Sequence, residues 1–193
     1  MTALEEILFL LRISRSRGIV RRYFVTNGFD GALAMLGLIM GFYVSGGVPL
    51  GVAISVCLST AIALAVSGLS SAYISEMAER RRELHQLERA MVADLGGSAY
   101  GRATRLVPLI IALVNGLAPL CIALVIVAPL ALARLGVSLP LAPLEASIVA
   151  ALGVIFLLGV FLSRVGRGFW LWSGLRAIAI ALFTALLILV ISP

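Results

Sequence analysis

Four carboxylates stand where they could bind a cation, one inside an apolar stretch and three along a charged helix. Asp30 lies in the segment Asn27–Gly31, near the start of the first long apolar stretch and shortly after Arg21 and Arg22. An aspartate in a membrane span is costly, so it usually faces a partner, a cavity or an ion path. Asp30 is therefore the first residue to consider for an ion path or a contact between helices.

The other three carboxylates are Glu76, Glu79 and Glu83, spaced i, i+3, i+7, so that they share one helical face. Three carboxylates in line can gather divalent cations, and this predicts a metal-binding entry site. The alternative is a salt-bridged, solvated helix, since Arg80 follows Glu76 by four residues and Arg82 follows Glu79 by three. The sequence leaves both interpretations open.

These residues belong to a membrane protein. The 193-residue chain is 62% hydrophobic and 12% charged, with a mean hydropathy of +1.14, whereas soluble domains are about half apolar and a quarter charged. We therefore predict an all-α integral membrane bundle. A spanning helix needs about 20 apolar residues, and five stretches qualify: 27–47, 49–76, 105–132, 143–163 and 168–191. Gly46-Gly47-Val48-Pro49 predicts a tight turn between the first two.

The basic residues predict the topology. All 15 are arginine. They cluster before span one, between spans two and three and between spans four and five, while the opposite side holds Arg134 alone. The positive-inside rule then predicts a cytoplasmic N-terminus and an external C-terminus. Because the arginines flank apolar spans, we expect them to contact the anionic lipid leaflet rather than nucleic acid.

Two regions are expected outside the spans. Residues 1–26 are predicted to be an amphipathic membrane-surface segment, and residues 27–193 the five-helix transmembrane domain. Helix-forming residues continue from Glu76 to about Asp94, so a helix over 49–94 would be about 70 Å long, against a hydrocarbon core of about 30 Å. This predicts a short cytoplasmic helical extension at 76–104.

The Asp30 face of span one carries small residues, including Gly37 and Gly41. Their GxxxG spacing lets helix backbones approach closely. We expect a helix contact on this face, either within a protomer or across a dimer axis, and a transport path along it. Ser59 and Ser70 of span two could add hydroxyls to that path, or could bond back to their own helix.

The main alternative role for Asp30 is an ion pair with Arg176. Arg176 lies about two turns inside span five, toward the same side of the membrane as Asp30. It could snorkel to the interface or form an ion pair with Asp30. An enzyme is not expected, because no Ser/His/Asp set, zinc-ligand spacing or phosphate loop is present.

The segment Asn27–Gly31 opening the first span, and Ala72-Tyr73-Ile74-Ser75 leading into a Glu- and Arg-rich helix, resemble the vacuolar iron transporter family, which includes fungal and plant vacuolar iron and manganese carriers. The resemblance covers roughly residues 20–190. It departs from the family at Ala72, where a glutamate is usual, and at Gly68, where a methionine is expected.

The resemblance implies a homodimer with the ion path between the two copies of spans one and two. In that scheme Asp30 is the first-span aspartate, and the cytoplasmic metal-gathering acids map onto Glu76, Glu79 and Glu83. The first hypothesis is thus a transporter of Fe²⁺ or Mn²⁺, proton-coupled and without a tightly bound cofactor, in which Asp30 is the central ligand or a proton-linked group. The second is a non-transporting membrane scaffold that binds lipid or a partner and in which Asp30 and Arg176 form a structural ion pair.

Overall fold

A computed structural model describes residues 5, 8–10, 12, 16–166 and 169–191 of the chain. Of the residues that the structure describes, 88% lie in helices and none lies in a strand. This confirms the all-α part of the predicted fold class. The five long helices are α1 (Arg17–Ser45), α2 (Leu50–Met91), α3 (Ala99–Arg134), α4 (Pro143–Gly166) and α5 (Trp170–Ile191).

Each of the five helices is long and apolar enough to cross a membrane, as the sequence predicted. Large apolar side chains stand exposed on them, for example Ile74 at 69%, Leu157 at 64% and Val190 at 75%. A soluble monomer rarely exposes contiguous apolar surface on this scale. Length, composition and exposure together support a multi-pass membrane protein.

The helix boundaries differ from the predicted ones in two places. α1 begins at Arg17, so the expected division at residue 26 falls inside one continuous helix. Before α1, the structure describes only residues 5, 8–10, 12 and 16, so most of the amphipathic segment predicted before Arg17 lies outside the described residues. α3 begins at Ala99 rather than at 105, so the stretch 76–104 comprises the last turns of α2, a short connection and the first turns of α3.

The turn between α1 and α2 lies where the sequence predicted it. Gly46 and Gly47 adopt φ of 63° and 65°, a left-handed conformation that is costly for residues with a Cβ. Pro49 follows, and its backbone carbonyl accepts hydrogen bonds from the amides of Val52 and Ala53 in the first turn of α2. α2 then runs for 42 residues, which is about 63 Å at 1.5 Å per residue.

The chain forms two compact groups. The first comprises Met1–Phe24 and Ala65–Leu117, and its small core contains Leu10, Val107 and Ile111. The second comprises Val25–Leu64 and Ala118–Pro193. Its larger core draws on all five helices, and its fully buried side chains include Met35, Leu36, Ile39, Ile126 and Ile155.

Glycines set the close contacts inside each group. In the second group, a Cβ on Gly159 of α4 would lie 2.7 Å from Ala177 Cβ and 2.9 Å from the Ser173 carbonyl oxygen of α5. In the first group, a Cβ on Gly116 of α3 would lie 2.6 Å from the Ala65 carbonyl oxygen of α2. Real Cβ atoms essentially never come so close, so these crossings require glycine.

Candidate functional site

Asp30 lies on a cavity of about 400 Å³ that is formed by α1, α4 and α5 within the second group. Its side chain is exposed. Three other polar side chains line the same cavity, Thr26 from α1 and Ser173 and Arg176 from α5, and the rest of the lining is apolar. At about 30 Å³ per molecule, the cavity has room for on the order of ten waters. Asp30 and Arg176 therefore line the same cavity.

The two opposite charges share this cavity without touching. The ion pairs within 4.0 Å among the described residues include neither Asp30 nor Arg176. The Arg176 guanidinium carbon lies 5.7 Å from the centre of the Trp172 ring, a distance typical of a cation–π contact. The Asp30 carboxylate is thus open to another cation, while the Arg176 guanidinium contacts the Trp172 ring instead of a carboxylate.

Gly37 and Gly41 have open space beside them within the protomer. A Cβ on Gly37 would meet only Ile188 Cδ1, at 3.6 Å, and one on Gly41 would meet nothing within 4 Å. The close helix contact predicted on this face is therefore not made at Gly41 by the part of the chain that the structure describes. A contact across a dimer axis stays a prediction.

The close contacts of α1 are made instead by two glycines that flank Asp30. A Cβ on Gly28 would lie 2.6 Å from Ile122 Cδ1, and one on Gly31 would lie 2.7 Å from Pro119 Cβ and 2.8 Å from Pro119 Cα. These glycines dock α1 on α3 and so fix the position of Asp30. Sequence reasoning noted Gly28 and Gly31 but gave them no packing role; their i, i+3 spacing was the available signal.

The hydroxyls of Ser59 and Ser70 are engaged by their own helix. Ser59 Oγ donates to the Ser55 carbonyl oxygen at 2.7 Å, and Ser70 Oγ donates to the Val66 carbonyl oxygen at 2.8 Å. This is the back-bonding that the sequence left open as an alternative. Both side chains are exposed, and each oxygen keeps lone-pair capacity for a further donor or a cation.

The predicted acidic stripe is organised around Arg80, which is only 5% exposed. Its Nη1 donates to Glu83 Oε2 at 2.8 Å, its Nη2 lies 3.7 Å from Glu76 Oε2, and Nη2 also donates to Ser16 Oγ at 2.9 Å. The Tyr100 hydroxyl donates to Glu83 at 3.4 Å. We call Ser16, Glu76, Arg80, Glu83 and Tyr100 the Arg80 cluster.

The Arg80 cluster changes the interpretation of the three glutamates. Glu76 is buried with Arg80, and Glu83 shares the same guanidinium, whereas Glu79 is exposed. The other predicted pair, Arg82 with Glu79, is absent from the ion pairs within 4.0 Å of the described residues. No group of three or more His, Cys, Asp or Glu side chains that could hold a metal ion occurs among those residues. A three-glutamate site is therefore not preassembled in one protomer.

Comparison with known proteins shows a similarity to an archaeal protein. The chain is 29% identical over 179 residues to an uncharacterized protein of Methanocaldococcus jannaschii, covering 86% of this chain and 85% of that protein. No protein-family model matches the chain. No solved structure matches it either.

Proposed function

We propose that this protein is a multi-pass membrane transporter of divalent metal ions, Fe²⁺ or Mn²⁺, that works as a homodimer. The proposal rests on the surroundings of the Asp30 carboxylate. This carboxylate is exposed on an apolar helix, lines a cavity and has no ion-pair partner within 4.0 Å among the described residues. Such a group in a membrane needs a cation or a polar path, and the resemblance to vacuolar iron transporters gives the class of cation.

Asp30 is the central ligand in this proposal, and hydroxyls of α2 such as those of Ser59 and Ser70 lie along the path. Glu79 and Glu83 attract ions to the cytoplasmic end. Glu79 is exposed and outside the ion pairs given by the structure, and Glu83 is partly exposed beside Arg80. Glu76 serves mainly to hold Arg80, because it is buried beside it. Protons provide the coupling ion.

The direct test is metal uptake by the full-length protein in proteoliposomes. Fe²⁺ or Mn²⁺ should enter vesicles that contain the protein, and faster under an imposed pH gradient. Vesicles without protein, and a Mg²⁺ arm, measure leakage and selectivity. Uptake equal to that of empty vesicles for both transition metals would contradict transport.

In the proposed topology the N-terminus lies in the cytoplasm and the C-terminus outside, because the arginine clusters alternate between connections. In a background with Cys57 and Cys121 replaced by serine, Ser45→Cys and Ser138→Cys should react with an impermeant thiol reagent from outside intact cells. Ala93→Cys should react only after permeabilisation. Labelling in the reverse pattern would contradict this orientation.

The homodimer places the face of α1 that carries Asp30, Gly37 and Gly41 against a second copy. Gly41→Leu is the sharper test, because a side chain there meets no atom of its own protomer within 4 Å. The variant should shift the protein from dimer to monomer in detergent, measured by light scattering coupled to size-exclusion chromatography.

Gly153→Leu is the matched control for this test. Gly153 lies inside α4, and a Cβ there also meets nothing within 4 Å. This variant should stay dimeric. If Gly41→Leu is also dimeric, the α1 face is not the interface.

A second candidate function is a non-transporting scaffold, favoured by the presence of Arg176 in the same cavity as Asp30. In this scheme the two side chains close into a structural ion pair within the membrane. The protein would then bind no metal at Asp30, and its function would rest on lipid or partner contacts.

A further inference from the structure

A second cavity, of about 430 Å³, lies in the first group between the last turns of α2 and the first turns of α3. Arg81 and His85 from α2 and Arg105 from α3 line it together with Met77 and Leu84, and its walls are mostly apolar. Its volume falls within the range of about 300–1,000 Å³ typical of small-ligand sites. Neither Asp30 nor the Arg80 cluster lines it.

The two arginines of this cavity differ from their neighbour Arg80. Arg80 is buried and held by two glutamates, whereas Arg81 and Arg105 are exposed. Neither forms an ion pair within 4.0 Å among the residues that the structure describes. Two exposed arginines that line one cavity, with no acidic residue in the lining, can hold an external anion at its mouth. Guanidinium binds phosphate oxygens through paired hydrogen bonds.

Glu88, an acid next to His85, is engaged elsewhere. Glu88 Oε1 accepts a hydrogen bond from the Leu95 amide at 3.1 Å, and its Oε2 lies 3.2 Å from His85 Nδ1. Glu88 therefore holds the connection after α2 and contacts His85. It forms no ion pair within 4.0 Å with Arg81 or Arg105 among the described residues.

The apolar walls and the position along the helices identify the source of the anion. Met77 and Leu84 offer nothing to a free inorganic ion, and Ile74 and Leu106 stand exposed next to the same stretches, at 69% and 41%. On both helices this is the point where apolar sequence gives way to charged sequence. Phospholipid headgroups and the first acyl carbons meet at that depth in a membrane.

We propose that this cavity, which we call the α2–α3 basic cavity, binds an anionic phospholipid, with its phosphate on Arg81 and Arg105 and its glycerol and upper acyl carbons against Met77 and Leu84. The site is distinct from the transport path, because it uses no residue assigned to metal. It places one bound lipid on each protomer at the base of the helical hairpin formed by α2 and α3.

The test measures retained lipid on the full-length protein by native mass spectrometry, after reconstitution with phosphatidylglycerol and phosphatidylcholine. Wild type should retain one phosphatidylglycerol per protomer. The double variant Arg81→Gln/Arg105→Gln should lower the retained fraction at least tenfold. Arg82→Gln/Arg102→Gln is the matched control, because it removes the same charge from exposed positions of the same two helices. It should lower the retained fraction less than twofold.

Each other outcome is decisive. Equal loss in both double variants would show general attraction to an anionic surface and overturn the site. Absence of retained lipid on wild type, or displacement of the lipid by millimolar inorganic phosphate, would also overturn it, the latter by showing a site for free phosphate. Asp30→Asn should keep the lipid, so a protein that fails to transport metal can still confirm this site.

Discussion

Replacing Asp30 by asparagine should lower Fe²⁺ and Mn²⁺ uptake to the level of protein-free vesicles, with the melting temperature in detergent within about 3 °C of wild type. Asparagine keeps the shape of the side chain but removes the negative charge that a divalent cation needs. Because Asp30 is exposed to a cavity and outside the described ion pairs, the loss of charge strands no partner. Uptake and thermal unfolding of the same preparation test both halves of this result.

Arg176 provides the control for the Asp30 experiment. If Asp30 binds metal, Arg176→Gln should increase metal affinity, by about tenfold or more, because a positive charge in the same cavity opposes a divalent cation. If Asp30 and Arg176 instead form a structural pair, Asp30→Asn should destabilise the protein by about 3–5 kcal/mol, and the double variant with Arg176→Leu should recover much of that loss. A destabilised Asp30→Asn that Arg176→Leu rescues would reject Asp30 as a metal ligand and support the scaffold.

Replacing Arg80 by leucine should destabilise the protein by about 3–5 kcal/mol, measured by denaturant or thermal unfolding in detergent. Arg80 is buried with the Glu76 side chain and also bonds Glu83 and Ser16. Without the guanidinium, Glu76 would be left as a buried carboxylate with no charge partner in the cluster. Breaking one side of a buried ion pair costs this much because the remaining charge is uncompensated.

Arg82→Leu is the control for Arg80, since it lies on the same helix, is exposed and is outside the ion pairs of the described residues. Its effect should stay within about 0.5 kcal/mol. Adding Glu76→Gln to Arg80→Leu should recover part of the loss, because the buried charge is then gone. Equal stability of Arg80→Leu and Arg82→Leu would show that the Arg80 cluster contributes little to folding.

The elements were predictable because hydropathy depends on composition over a whole window. Five apolar stretches gave five helices, and Gly46-Gly47 gave the turn after α1. The packing role of individual glycines was not predictable in the same way. Gly37 and Gly41 have the familiar GxxxG spacing, yet Gly28 and Gly31 make the close contacts with α3. The face of a helix that contacts a neighbour depends on how the other helices are arranged. The sequence of a single helix does not determine that arrangement.

The Arg80 cluster shows the same limit for charges. The i, i+4 spacing correctly indicated Arg80 beside Glu76, but it also indicated Arg82 beside Glu79, which is not among the ion pairs found. Burial distinguishes the two arginines, because Arg80 is buried and Arg82 is exposed. Ser16 lies 64 residues away along the chain and meets Arg80 only in the fold, so local spacing could not reveal that Arg80 is inside and Arg82 outside.

The departure from the resembled family at Gly68 has a local physical reason. A Cβ at this position would lie 3.2 Å from the Asn115 carbonyl oxygen, and Asn115 Nδ2 donates to the Gly68 carbonyl oxygen at 2.6 Å. A side chain here would require Asn115 to shift by a few tenths of an ångström. In this chain the position therefore serves the close packing of α2 on α3.

α2 has a consequence through its length. At 42 residues it is about twice as long as the roughly 20 residues that span the hydrocarbon core of about 30 Å. The apolar residues after Pro49 would therefore suffice to cross the membrane. A helical turn added to or removed from the charged end would leave that membrane-crossing part unchanged in length.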